Sequence, residues 1–205
     1  MRQSARSGAT AFAVGLAFML LGSCASTSMV SSKKNPAYTG PELKRLIVIG
    51  ATSDARVRRA FENEFVAKLK AAGVAAQASY LVIPEIDPAK REQLREAVKA
   101  AGVDGVLAAR LVKVERNANA LQEFNFDNRS AGFYEYYGSG STGTFDPSSG
   151  GMSNLITIHF DLYSVAGSQL VWGGDAATYP STDVKAVTDG LAYAVIKTLK
   201  EQKLI

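Results

Sequence analysis

The chain carries one cysteine, Cys24, and one histidine, His159. An ionised thiol is a nucleophile, and imidazole changes charge between pH 5 and 8, so these two residues set much of what the chain could do to a bond. His159 stands two residues before Asp161 in the run ITIHFDLYS at 156–164, whose alternation puts imidazole and carboxylate on one face of a strand. A Ser-His-Asp catalyst needs in addition an exposed serine and an oxyanion site, and no Gly-x-Ser-x-Gly run is present. His159 therefore reads as a surface or hairpin-packing residue. One histidine and one cysteine do not make the usual zinc site, so no metal is expected. The run GSGSTG at 138–143 lacks the Gly-Lys-Ser/Thr ending of a phosphate-binding loop and reads as linker. Glu62 and Glu64 flank a helix turn and read as solvated pairing. Tyr163 and Trp172 are the candidates to line a pocket beside the hairpin. No catalytic residue and no cofactor is assigned.

Cys24 differs because of what precedes it. Arg2 and Arg6 form a positive amino-terminal region, and Ala11 to Leu21 is an unbroken apolar run of the length of a secretory signal. As a helix it would span roughly 16 Å, about half of a hydrocarbon core near 30 Å, too short for a transmembrane span. The tetrapeptide Leu21-Gly22-Ser23-Cys24 resembles the lipobox of bacterial lipoproteins. The resemblance implies cleavage before Cys24, diacylation of its thiol and acylation of its new amino group, so residues 1–23 are the signal and Cys24 is the lipidation site. The alternative is an ordinary signal cut near Ser23 or Ala25, which would leave an unpaired thiol in a secreted chain. With Ala25 and Ser26 after the cysteine rather than Asp, the resemblance implies an outer-membrane lipid anchor facing the periplasm, with palmitate among its acyl chains.

Removing residues 1–23 from the 205 leaves 182, enough for one domain with a sizeable core. The formal charge falls from +4 to +2 with the loss of Arg2 and Arg6. That balance is too small to argue for nucleic acid, and with no basic stripe carrying interleaved aromatics no nucleic-acid partner is expected. Residues 24–44 are poor in large apolar residues and interrupted by Pro36, Gly40 and Pro41, so they read as a flexible tether. Lys33 and Lys34 read as solvated linker charges.

The remainder, 45–205, reads as a single α/β domain, an α+β mixed sheet in two or three layers, in the order β-α-β-α-β, long insertion, β-β-α. Leu46 to Ile49 is apolar on both faces and so forms a central strand. Val57, Phe61, Phe65, Leu69 and Ala72 form a helical stripe, capped by Thr52 or Ser53 and closed by Gly73. Glu64 and Lys68 would pair along its outer face. Val74 to Ile83 reads as a weaker strand. Asp87-Pro88 starts a helix with Leu94, Ala97, Val98 and Ala101 buried, and Val106 to Val114 is a third strand. In Leu155 to Val165, Ile156, Ile158, Phe160 and Leu162 face inward, while Thr157, His159, Asp161 and Tyr163 take a wetter face. A turn at 166–168 leads to a paired strand over 169–179. Ser181 or Thr182 caps a last helix with Val184, Val187, Leu191, Val195 and Leu199 buried, and Leu204-Ile205 packs as the tail.

The insertion at 117–153 combines Gly and Ser with seven aromatic residues. Phe133, Tyr134, Tyr136 and Tyr137 are the candidate partner contacts, since tyrosine offers large contact area at small entropic cost. An insertion whose rings merely cover the domain is the competing reading. No run shows the roughly 9–11 alternating residues of a membrane-spanning strand.

The run ITIHFDLYSVAGSQLVWGG, followed by a helix ending in LKEQKLI, resembles the carboxy-terminal part of small bacterial lipoproteins of unknown function, through Leu162, Tyr163, Gly167, Leu170, Val171, Trp172 and Gly174. More remotely, the strand-helix order and the segment AAGVDGVLAARLVKV resemble the α/β domain of the curli-secretion lipoprotein and the amino-terminal domain of the Tol translocation protein. The resemblance covers residues 45–116 and 154–205 and implies a packing pattern rather than a reaction. The expectation is a non-catalytic, lipid-anchored accessory or assembly subunit of an envelope complex, bound to the membrane through Cys24 and to an envelope protein. A module for lipid or peptidoglycan fragments is the alternative, and a hydrolase ranks third.

Overall fold

A computed structural model describes residues 27–52, 54–83, 91–115, 155–179 and 181–205. The signal, Cys24, the Asp87-Pro88 helix start, the Gly/Ser run and the four aromatic contact candidates lie outside the described residues.

The parallel part forms as the alternation of elements requires. Strand β2 (Arg45–Gly50) leads into α1 (Ala55–Ala71), β3 (Ala75–Ala78), α2 (Arg91–Ala100) and β4 (Gly105–Glu115). Both β3 and β4 pair parallel to β2, one on each side. The chain thus crosses over twice in opposite directions. Right-handed crossovers in opposite directions place their helices on opposite faces, and the buried residues agree: Phe61, Phe65 and Leu69 of α1 join one core cluster, Leu94 and Val98 of α2 the other. Each helix ends in the sequence Lys-Ala-Ala-Gly-Val, at 70–74 and 99–103. Gly73 and Gly102 take the left-handed φ of +85° and +63° that closes such a helix without a Cβ penalty.

The antiparallel part extends the sheet from β4. Strand β5 (Leu155–Ser164) pairs with β4 and with β6 (Gln169–Thr178), and α3 (Val184–Glu201) returns over the first face. Ile156, Ile158, Phe160 and Leu162 are fully buried there against Leu191, Val195 and Leu199. Each such burial contributes about 1.5–3 kcal/mol. Phe65 lies 5.4 Å from Phe61 and 5.7 Å from Phe160 between ring centroids, joining helix to sheet. Leu204 and Ile205 are buried as expected, and the Leu204 carbonyl accepts from Leu43 N–H at 2.8 Å.

The structure corrects the expected tether. Ser28–Lys34 is a strand, β1, antiparallel to β6 from Ser28↔Ala177 to Lys34↔Trp172, and it completes a six-stranded sheet in the order β1-β6-β5-β4-β2-β3. An edge strand needs no apolar run, because one neighbour satisfies half of its backbone. Polar side chains do the rest. The Thr27 and Thr178 hydroxyls are 2.7 Å apart, Ser31 Oγ donates to Asp175 Oδ2 at 2.6 Å, and Ser32 Oγ accepts from Trp172 Nε1 at 2.9 Å and Gln202 Nε2 at 2.7 Å. The following residues are held too: Asn35 Nδ2 donates to the Leu170 carbonyl, and Tyr38 and Leu43 are buried.

Smaller corrections share a pattern. The strand expected over 74–83 stops at Ala78 and becomes a 3₁₀ turn at Ser79–Leu81. The caps of α1 and α3 are Asp54 and Asp183 rather than the preceding hydroxyl residues. Thr52 and Ser181 instead accept from the N–H of those aspartates, 3.2 and 3.1 Å away. Glu64 and Lys68 both reach across to α3, to Lys185 at 3.3 Å and to Asp189.

Candidate functional site

The alternation in β5 is present, but its second face is not wet. His159, Asp161 and Tyr163 are each 1% exposed. Antiparallel register places Asp175 of β6 and Arg110 of β4 on either side of His159, and Ser31 of β1 beyond Asp175. Four strands thus contribute to one polar cluster.

Its geometry is defined by the ring. His159 Nδ1 is 2.5 Å from Asp175 Oδ1, and Nε2 is 2.9 Å from Asp161 Oδ1. Ionised carboxylates only accept. The two bonds therefore require an imidazolium, or a neutral ring with a proton on one carboxyl; either way the group holds one proton beyond a neutral ring between two carboxylates. With Arg110 in register beside the ring, an imidazolium gives two positive charges against two negative. Ser31 Oγ donates to Asp175 and accepts from Asp175 N–H at 3.2 Å. The hydroxyl sits on a carboxylate, whereas a nucleophile of the Ser-His-Asp kind must face an imidazole nitrogen, and both nitrogens are taken by carboxylates. What the arrangement can do is hold a proton in the sheet and tie β1 to β6 and β5. Among the described residues no cluster of His, Cys, Asp or Glu is arranged to hold a metal ion.

A second buried cluster lies on α1, where the sequence pattern predicts a solvated Glu62. Glu62, expected in solvent, is fully buried, and Arg58 is 5% exposed. Glu62 Oε1 accepts from Arg58 Nε and Gly50 N–H, both at 3.0 Å, and from Ser79 Oγ at 2.6 Å, while Oε2 accepts from Tyr80 N–H at 3.0 Å. Arg58 Nη2 donates to Ser79 Oγ and to the Ile83 carbonyl at 2.7 and 2.9 Å. One ion pair on α1 thereby clamps the carboxyl ends of β2 and β3. A signal was available: Arg58 and Glu62 are four apart and continue into the apolar positions Phe65 and Leu69, so they share a stripe that faces the sheet.

Tyr163 and Trp172, the candidates to line a pocket beside the hairpin, are both buried in the core. Trp172 pairs with Leu162 and Tyr163 with Leu170 across a bulge, so the two rings lie in different core clusters on opposite faces. Trp172 explains a glycine of the hairpin pattern. A Cβ at Gly174 would stand 2.6 Å from the indole, so the ring lies over the glycine.

No family model matches this sequence. No curated protein matches it either. Solved structures similar to this chain include two of PelC from Paraburkholderia phytofirmans, both described as dodecamers. One, of a single-substitution variant, is 13% identical with a TM-score of 0.42 and covers 80% of this chain and 94% of that one. The other is 12% identical with a TM-score of 0.43, covering 84% and 95%. Lipoprotein GNA1162 from Neisseria meningitidis is 11% identical, with a TM-score of 0.38 and coverage of 77% and 96%. At this level the likenesses assign no activity, ligand or partner to this chain. Among the described residues no helix is long and apolar enough to cross a membrane.

Proposed function

We propose that this chain is a non-catalytic lipoprotein of the cell envelope, acylated at Cys24, facing the periplasm from the outer membrane, and acting as an accessory or assembly subunit of an envelope complex. The observation that carries the reading is the sequence Leu21-Gly22-Ser23-Cys24 behind an apolar run of signal length, with no second cysteine to pair with that thiol. A non-catalytic role is supported by the use of both His159 nitrogens and of the Ser31 hydroxyl inside the sheet. Contact with a protein partner is assigned to the aromatic segment that includes Phe133, Tyr134, Tyr136 and Tyr137.

Crosslinking and pull-down from native membranes, comparing the wild type with a variant lacking residues 120–150, tests the role. The reading expects wild type to bring down an envelope protein and the deletion to lose it while its thermal transition stays within a few degrees. Unchanged partners in a folded deletion variant would defeat the assignment. A melting temperature raised by lipid or peptidoglycan fragments, with no protein recovered, would favour the binding-module alternative.

A further inference from the structure

We infer that the end of the sheet at which β1 begins rests on the bilayer surface, with Tyr179 in the headgroup layer. This deepens the reading above, because it rests on acylation of Cys24. Had residues 24–44 been a flexible tether, twenty residues would span about 25 Å root mean square and leave the domain free of the membrane. Instead β1 begins at Ser28, so only residues 25–27 separate it from Cys24. Four residues extend at most about 14 Å, and crossing the headgroup layer consumes roughly 5–8 Å of that. What remains is about one side chain's length.

The register says which part of the domain occupies that gap. Ser28 pairs with Ala177, Thr27 meets Thr178, and the next residue, Tyr179, is 52% exposed, one of the large hydrophobic side chains left open at the surface. Tyrosine has an apolar ring and a polar tip, which suits it to the boundary between headgroups and acyl chains. Ile156 pairs with Thr178, and Leu155 with Glu115, so the segment 116–154 leaves and re-enters the sheet at this same end. Lys33 and Lys34 do not serve as headgroup contacts here: Lys34 lies six strand residues from Ser28, about 20 Å away. Asp183, which caps α3 four residues after Tyr179, and Glu115 are acidic. Lys185, two residues after Asp183, is basic and exposed, so charges of both signs stand at this end with no basic cluster, and the contact is assigned to the acyl chains and the aromatic ring.

The test uses the full acylated chain in phosphatidylethanolamine/phosphatidylglycerol vesicles doped with a headgroup-attached quencher. Cys24 is consumed by acylation, so a thiol-reactive fluorophore labels only an introduced cysteine: Tyr179→Cys at the near end, or Ala166→Cys in the β5–β6 turn at the far end, where residue 166 is exposed. The expected result is at least fivefold stronger quenching at position 179, unchanged in phosphatidylcholine vesicles. A twenty-residue Gly/Ser spacer inserted between Ser26 and Thr27 is expected to remove the difference. Equal quenching without the spacer, stronger quenching at 166, or a label at 179 shielded by a second copy or a partner protein overturns the inference while acylation, read by mass, still stands. Absence of acyl chains overturns both readings.

Discussion

Replacing Glu62 by alanine should take from the buried Arg58 guanidinium the carboxylate it pairs with at 3.0 Å. The Glu62 carboxylate accepts from Gly50 N–H, Arg58 Nε, Ser79 Oγ and Tyr80 N–H at 2.6–3.0 Å, joining α1 to the ends of both β2 and β3. Breaking a buried pair by removing one partner costs about 3–5 kcal/mol, because the other charge stays buried. For a domain of this size a kcal/mol moves the melting temperature by about 2–4 °C, so a fall of roughly 6–20 °C is expected. The pair itself need not be strongly stabilising. Removing both charges, as in Arg58→Met with Glu62→Leu, takes these partners from the Gly50 and Tyr80 amides, the Ser79 hydroxyl and the Ile83 carbonyl. Those losses, about 1–3 kcal/mol each, are already divided between the single replacements, but the double one leaves neither charge buried without the other. Urea denaturation of the non-acylated mature chain, followed by circular dichroism, would supply the four corners of the cycle. The two single replacements should sum to at least about 2 kcal/mol more than the double one. A Glu62→Ala cost below about 1 kcal/mol, or additive single replacements, would refute the clamp.

His159→Ala should cost about 3–5 kcal/mol in the same assay, since Asp161 and Asp175 then face each other without the proton-bearing ring between them. Asp175→Asn should loosen β1 in particular, read as faster amide exchange over residues 28–34 than over β5. Gly174→Ala should lower the melting temperature by several degrees and blue- or red-shift the Trp172 emission, because the indole at 2.6 Å must move. The backbone N–H groups of Arg56 and Val57 hold the Asp54 carboxyl below its usual range. Its stabilising effect is present above the ordinary carboxylate pKa and is lost as pH falls through the lowered one. The gap in melting temperature between wild type and Asp54→Asn should therefore be constant near neutrality and close below about pH 4.

The elements with a broad apolar stripe were legible: β2, α1, β4, β5, β6 and α3 stand within a few residues of where periodicity puts them. Burial is the physical reason, since a side chain that faces a core must be apolar at the period of its element. The same logic failed where polar groups were satisfied by distant partners. Strand β1, SMVSSKK, looks like linker because its hydroxyls bond to residues 140 or more positions away, and no local pattern records that. Glu62 reads as solvated, and His159 as a surface or hairpin-packing residue on a wetter face, because a charged residue is rarely fully buried without a partner, and the partners Ser79, Tyr80 and Asp175 come into view only once the strands are in register. The two helix caps were missed by one residue for a local reason. In Thr52-Ser53-Asp54 and Ser181-Thr182-Asp183 the hydroxyl braces the aspartate, which then caps the helix. Tyr163 and Trp172 were set together because a hairpin was drawn without the bulge that separates their faces.

The central claim is that acyl chains on one thiol hold this fold at a membrane through a link of three residues. Mass spectrometry of the amino-terminal peptide of the mature protein, purified from membranes, tests it most directly. The expected result is a chain that begins at Cys24 and carries a diacylated sulfur and an acylated amino group. A mature chain that begins elsewhere, with the Cys24 thiol free or cleaved away, would contradict it.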